Sequence, residues 1–439
     1  MEVLDKISRE LEKINADDYV ISQAKSNASH VKFANSKIVK TGVETLNLID
    51  LFVVKKKRIV TTSIHKTDDK NIKETVQKVK KFLKLVPENK NYVGIAEGPF
   101  KYIEIDDSYD KRVGKEDIVE HVEKAISVAE SLGIKRCAGV LDAYDIYLSL
   151  LTSNNVRASD KATKLYFSIR CHKTKDASGH MTACSRVLSK FDTEKVAEHA
   201  ARIASLGKGK KNLSPGNYDI IFEPLPMADL LNTVMDSASI FSVEANISFF
   251  KGLLNKKVAS SKVTLADDAT MRNGFNSAMF DQEGVPTQRT EVIKNGILKS
   301  FLHNTSTAKR HKTKTTANAG LISPSPFNIV LEPGDFRKDE IFREMKRGLY
   351  ITNLWYTRFQ NYATGDFSTI PRDGAFIVEN GEIKQAVKNI RISENILNLL
   401  KNVSALGRKS YQIKSWEAET PVTLPLTLVK NCRITKPEN

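Results

Sequence analysis

The sequence predicts an α+β protein of two domains, and three patterns lead there. Alternating strand-like segments followed by a helix of 3.6 periodicity occur twice in the first half. A stretch rich in Gly, Lys and Pro interrupts the chain near its middle, and short strands separated by turn residues dominate the second half. These patterns divide the chain into an N-terminal α+β domain over 1–205, a linker over 206–216 and a β-rich C-terminal domain over 217–439 built around a buried central helix.

The N-terminus, MEVLDKISRELEKI, reads as an amphipathic helix with Val3, Leu4, Ile7, Leu11 and Ile14 on one side. It lacks the basic start and unbroken apolar core of a signal peptide. No segment approaches the ~18 consecutive apolar residues of a membrane span. A cytoplasmic protein without a membrane partner is expected.

An internal repeat comes next, with units at about 35–83 and 154–205. Each opens on Asn, runs through alternating strands joined by a Lys-rich turn, and ends in a helix. Thr67-Asp68-Asp69 and Asp192-Thr193 stand where helix N-caps belong. Val76, Val79, Phe82 and Leu83 of the first helix answer Val196, His199, Ala200 and Ile203 of the second.

LGKGKKNLSPGNYD (206–219) supplies the linker chemistry. The C-terminal half then begins with the strand NYDIIFEP and a long helix, PMADLLNTVMDSASIFSVEANISFF (226–250). Pro226 suits its first turn, and Met227, Leu230, Leu231, Val234, Ala238 and Phe241 form its core side. Asn-Gly pairs at 273–274, 295–296 and 380–381 mark hairpins.

Composition narrows the class. A chain of 439 residues with 41% hydrophobic and 27% charged content is globular, and four cysteines at this length make no disulfide framework. The net charge of +16 would attract polyanions or acidic partners. Its clusters (55–58, 208–211 and 309–314) lie apart, however, and none carries interleaved aromatics, so a nucleic-acid partner is not expected.

The chemistry-bearing motifs are mostly absent. None of the eight histidines forms HExxH or HxxEH. Cys171, His172, His180 and Cys184 make the nearest ligand cluster. A turn near 176–179 would set Cys171 opposite Cys184, but neighbouring strand residues face opposite ways, so buried thiols are the simpler reading. No nucleophile elbow, Walker A loop or dinucleotide fingerprint occurs. Asp267, Asp268, Asp281, Glu283 and Asp366 fall in turns, where carboxylates usually cap backbone amides.

Four segments taken in order carry a family resemblance: SPGNYDIIFEP; FSVEANISFFKG; LADDATMRNGFNSAMFDQEGVPTQRTEVIKNGILKSFLHNTSTAKR; and GLYITNLWYTRFQNYATGDFSTIPRDGAFIVENGEIK. Over about 214–384 they resemble the TldD/PmbA family, known both for TldD–TldE proteolysis and for an old association with DNA gyrase. The TldD branch resembles a zinc peptidase with an H-E-x-x-x-H helix and a downstream Cys. The TldE (PmbA) branch is its partner without those ligands. Aligned on Glu244, the histidine positions hold Val243 and Ser248, and YTRFQNY (356–362) offers no Cys.

The resemblance therefore implies a TldE-like subunit with no metal of its own, Glu244 being the vestigial place of the catalytic glutamate. It implies zinc in a TldD-like paralogous partner and proteolysis of unfolded or small peptides by the pair, and it leaves a homodimer open. A peptide groove or partner interface is expected at Glu244, Asp281, Glu283, Gly284, Thr364, Gly365, Asp366 and Ser368. Two other functions stay open on the sequence alone: a stand-alone peptidase or hydrolase with an unrecognised site, and a modulator associated with DNA gyrase.

Overall fold

Long strands with one apolar face need helices on that face, and the first 206 residues supply both. The computed structural model describes residues 2–436; Met1 and residues 437–439, the last of the expected second domain, lie outside the described part. The chain starts α1 (Glu2–Lys13), β1 (Asp18–Ala34), β2 (Lys37–Lys55), β3 (Arg58–Ile64), α2 (Asp69–Leu85). It continues α3 (Ile118–Ser131), β4 (Arg136–Thr152), β5 (Arg157–His172), β6 (Ser178–Ser185), α4 (Thr193–Leu206). The six strands form one antiparallel sheet in the order β3-β2-β1-β4-β5-β6.

The repeat is thus larger than the sequence units: each half is helix, three strands, helix, and β1 meets β4 at the centre. Two-residue turns set the registers. Asn35-Ser36 and Lys56-Lys57 all take positive φ, as type I′ hairpins require. Within the two candidate groups the caps fall on Asp68, which accepts from the Asn71 N–H, and on Asp192, which accepts from the Lys195 N–H.

Strand alternation sorts the two faces. Ile21, Ile49, Leu51 and Val53 pack on α1 and α2, and Leu165, Phe167, Ile169 and Cys171 pack on α3 and α4. The other face, with Val20, Phe52, Leu150 and Val156, meets the C-terminal part. Phe82 departs from expectation: it is 54% exposed, on the outer side of α2.

The C-terminal part runs β7 (Lys211–Asn212), β8 (Gly216–Phe222), α5 (Pro224–Ser237), α6 (Ile240–Glu244), β9 (Leu265–Asp268), β10 (Arg289–Lys294), β11 (Ile297–Leu298), α7 (Thr305–Arg310) and β12 (Ile329–Leu331). Then come α8 (Lys338–Met345), β13 (Arg347–Ile351), β14 (Leu354–Asn361), β15 (Asp366–Pro371), β16 (Ala375–Glu379), β17 (Glu382–Lys388), β18 (Arg391–Asn395), α9 (Ile396–Lys401), β19 (Val403–Ile413) and β20 (Val422–Thr435). All fourteen strands join one sheet centred on β20 and β8, and the expected linker contributes β7, which pairs with β17. Helix α5 is apolar on nearly every side and lies in the largest core, against Phe250, Leu349 and Val429 among others.

Three local expectations are corrected. The long helix 226–250 is two helices and a coil. Ser239 leaves the helical path to donate its hydroxyl to the Pro324 carbonyl (2.8 Å), and the Ile240 N–H donates to the Leu302 carbonyl. Asn246, at φ +61°, then ends α6 just past Glu244. Phe241 accordingly is 46% exposed rather than core. Asn273-Gly274 makes no hairpin; the Asn273 side chain accepts from the Arg186 N–H across the two sheets. Finally, Cys171 pairs in register with Gly179 and Cys184 with Tyr166, so these thiols do not face each other. The Cys171 sulfur instead lies 3.7 Å from that of Cys137 on β4.

Candidate functional site

Where β2 and β3 face the C-terminal part, a cleft of about 510 Å³ opens, walled by Phe52, Thr61 and Tyr92 on one side and by Glu244, Glu283 and Arg310 on the other. Glu244 ends α6. Arg310 ends α7, whose start is fixed by a reciprocal cap: the Asn304 side chain accepts from the Thr307 N–H, and the Thr307 hydroxyl accepts from the Asn304 N–H. This anchoring aims the last turn of α7 at Glu244. Arg310 Nη2 donates to both carboxylate oxygens at 2.7 and 2.6 Å, and His311 Nε2 lies 2.9 Å from Oε1. Burial pushes the Glu244 carboxyl upward, but Arg310 and His311 outweigh it and hold the group below its ordinary value. It is a paired anion at neutral pH.

Zinc does not fit here. Val243 has no donor atom. Ser248 is buried, giving its hydroxyl proton to the Ser237 carbonyl (2.6 Å) and accepting from the Phe250 N–H. Because α6 stops at Glu244, residues 243 and 248 do not share a helical turn at all. His303 stands near His311, with ring centroids 5.5 Å apart, but burial pushes it down to about 4 and its Nδ1 meets the Thr307 hydroxyl. Among the described residues, no three His, Cys, Asp or Glu side chains are grouped to hold a metal.

The remaining expected residues divide between this cleft and elsewhere. Asp281 and Glu283 are both buried. Asp281 accepts from the N–H groups of Glu283, Val285 and Ala319 and so builds its own turn. Glu283 reaches the cleft wall and accepts from the Thr305 N–H (3.3 Å). Burial pushes both carboxyls up, Asp281 to about 6 and Glu283, which also feels the Asp281 carboxylate, to about 8, so of the two Glu283 holds its proton to the higher pH. Gly284, at φ +79°, sits against Val156 and Leu150, where a Cβ would collide, and its carbonyl accepts from the Tyr102 hydroxyl.

Thr364, Gly365, Asp366 and Ser368 do not line the cleft. They form the β14–β15 turn and start β15. Asp366 is held by Thr364 and Asn395, whose contacts keep its carboxyl below the ordinary value. Gly365 packs on Phe249, so this turn touches the coil after Glu244 from the other side. Sequence reasoning singled out Glu244 but not Arg310 or His311. Their signal was the run TSTAKRH, a capped short helix with its cations at the C-terminal end.

Comparison with known proteins identifies the family. Residues 215–436, just over half of the chain, match the family described as PmbA/TldA metallopeptidase C-terminal domain. A metalloprotease of Methanocaldococcus jannaschii is 26% identical over 430 residues, covering 92% of each chain. Metalloprotease PmbA of Escherichia coli O157:H7 is 29% identical over 224 residues, 51% of this chain and 48% of that protein. The crystal structure of TldE from Thermococcus kodakarensis superposes with a TM-score of 0.89 at 21% identity, covering 99% of this chain and 100% of that one. On these grounds the chain belongs to the PmbA/TldD family of metallopeptidases.

Proposed function

We propose that this chain is a TldE-like subunit that supplies architecture and a peptide-facing wall to a TldD-like zinc peptidase, and performs no zinc chemistry itself. The observation that carries the reading is the Glu244–Arg310–His311 cluster. In a zinc peptidase the helical glutamate needs a metal-bound water to activate. Here that carboxylate is already held by Arg310, the last residue of α7, and by the ring of His311 just after it; Val243 has no donor atom, the Ser248 hydroxyl is taken by backbone groups, and 356–362 holds no cysteine.

The substrate class rests on the same reading. The cleft between the sheet and the C-terminal part mixes apolar side chains such as Phe52, Ile59 and Leu321 with hydrogen-bonding ones such as Asn91 and Asn304, and holds a neutral Glu283 and a paired Glu244, which suits an uncharged extended backbone better than a metal-bound anion. The paralogous partner would hold the zinc, and unfolded or small peptides would be the substrates.

Co-expression with a paralogue carrying the H-E-x-x-x-H helix tests this. The two chains should co-purify, and peptidase activity of the paralogue should rise when this chain is present. If the paralogue is fully active alone and the chains elute separately, the reading is wrong.

A further inference from the structure

A second cleft, of about 330 Å³, lies where β5 and β6 face the C-terminal part. Its floor holds two guanidinium groups, from Arg170 on β5 and from Arg372, which follows β15. Arg170 already has a carboxylate: its Nε lies 3.2 Å from Asp373 Oδ1. Asp373 is buried and also accepts from Ser178 at Oδ1 and from Asn353 at Oδ2, both at 2.7 Å.

Among the described residues Arg372 has no such partner. Its guanidinium carbon sits over the Trp355 ring, 3.7 Å from the centroid, a contact that orients the group without using its N–H donors. Burial, and then repulsion from Arg170, lower its affinity for its own proton, with Asp373 acting the other way. The nearby Glu417 turns instead to the Trp416 indole N–H at 3.0 Å.

The surroundings define the charge and shape of what would fit. His180 is neutral, pushed down to about 4 by burial, and both its ring nitrogens are occupied by Ser168 and Asn353. With Lys414 above Tyr166 at the margin, three cations face two carboxylates. Beside them stand Trp355, Leu225 and the 79% exposed indole of Trp416. A group with one negative charge attached to an apolar body matches this set; a dianion does not.

We propose that this cleft is a carboxylate-binding site that takes a terminal carboxylate between Arg372 and Arg170 and the adjoining apolar or aromatic side chain against Trp416. A peptide C-terminus or a free acylated amino acid presents the same chemistry. Peptide as the natural source rests on the function proposed above; carboxylate binding by this chain does not.

The chain's two tryptophans both line this cleft, so fluorescence excited selectively in tryptophan reports on binding there. The full chain is titrated with acetyl-Ala-Ala-Phe, its C-terminal amide, acetyl-phenylalanine and inorganic phosphate, and then again as Arg372→Gln. The acid should bind at least about tenfold more tightly than the amide, as loss of a charge-assisted contact requires. Arg372→Gln should abolish that difference without moving the melting temperature by more than a few degrees. If acetyl-phenylalanine equals the tripeptide acid, the site is confirmed and its source is a small carboxylate; a tighter tripeptide confirms it with a peptide source. Equal binding of acid and amide to the unaltered chain, or phosphate binding as tightly as either acid, overturns the proposal. The acid–amide comparison needs no variant, so it decides even if Arg372→Gln misfolds.

Discussion

The two clefts sit on equivalent strands of the internal repeat, yet their charges are arranged in opposite ways. On β2 and β3, Phe52 and Thr61 are register partners, and the carboxylate opposite them, Glu244, is closed off by Arg310 and His311. On β5 and β6, Arg170 and His180 are register partners, and the cation opposite them, Arg372, has no carboxylate. One cleft has satisfied its charge internally. The other keeps an unpaired cation in a partly buried place, where a free donor set is costly unless something binds it. A repeated scaffold thus fixes where clefts form, while a few side chains decide which of them is left reactive.

The largest effect should come from Asp373→Asn. It leaves Arg170 without its buried partner, and breaking such a pair costs about 3 kcal/mol when fully buried, less here because Arg170 is part exposed. Denaturant unfolding should show a loss of about 2 kcal/mol. No measurable change would mean that Asp373 does not neutralise the floor of the second cleft.

Rebuilding the ligand set comes next. Val243→His combined with Ser248→His should cost about 2 kcal/mol, because a larger ring replaces a buried hydroxyl that ties the coil to Ser237. The variant should gain no zinc, since α6 does not continue to 248. Stoichiometric zinc in it would show that the coil can wind into a helix.

Glu283→Gln should have an effect that is absent at low pH and appears only as pH rises. The folded carboxyl titrates near 8, above its unfolded value of about 4.3, so its contribution is full below pH ~4 and is lost as pH rises through 8. The amide imitates the neutral form. The variant should melt like the parent near pH 4.5 and higher than it at pH 9, the gap opening progressively between those values. The reverse order at pH 9 would place the charge on Glu283.

The smallest effect belongs to Glu244→Gln. This part-exposed cluster should contribute under about 1 kcal/mol and fade with added salt. A larger, salt-independent loss would show that the first cleft is more tightly closed than its exposure implies.

Much of this was legible in the sequence because local chemistry and global fold agree. Asp68, Asp192 and the Asn-Gly pairs at 295–296 and 380–381 act where they stand. The repeat was only half visible: β1 and β4 occupy the centre of the sheet, but DYVISQAKSNASHVKFA and RCAGVLDAYDIYLSLLT share no readable pattern. The break in the predicted helix at Ser239 was not visible, because the Leu302 and Pro324 carbonyls that cause it lie far along the chain. Asn246, by contrast, was a helix stop in plain sight beside Glu244. The second cleft could not be read at all. Arg170 and Arg372 belong to different halves of the chain, and only the contact between the sheets brings them together.

If the zinc of a TldD–TldE pair does not reside in this chain, metal analysis will show it. The chain is purified alone and in complex with an H-E-x-x-x-H paralogue, and zinc is measured in both. Background zinc is expected in the isolated chain and about one zinc per pair in the complex, unchanged by Glu244→Gln in this chain. Stoichiometric zinc in the isolated chain, lost with Glu244→Gln, would show instead that this chain holds the metal itself.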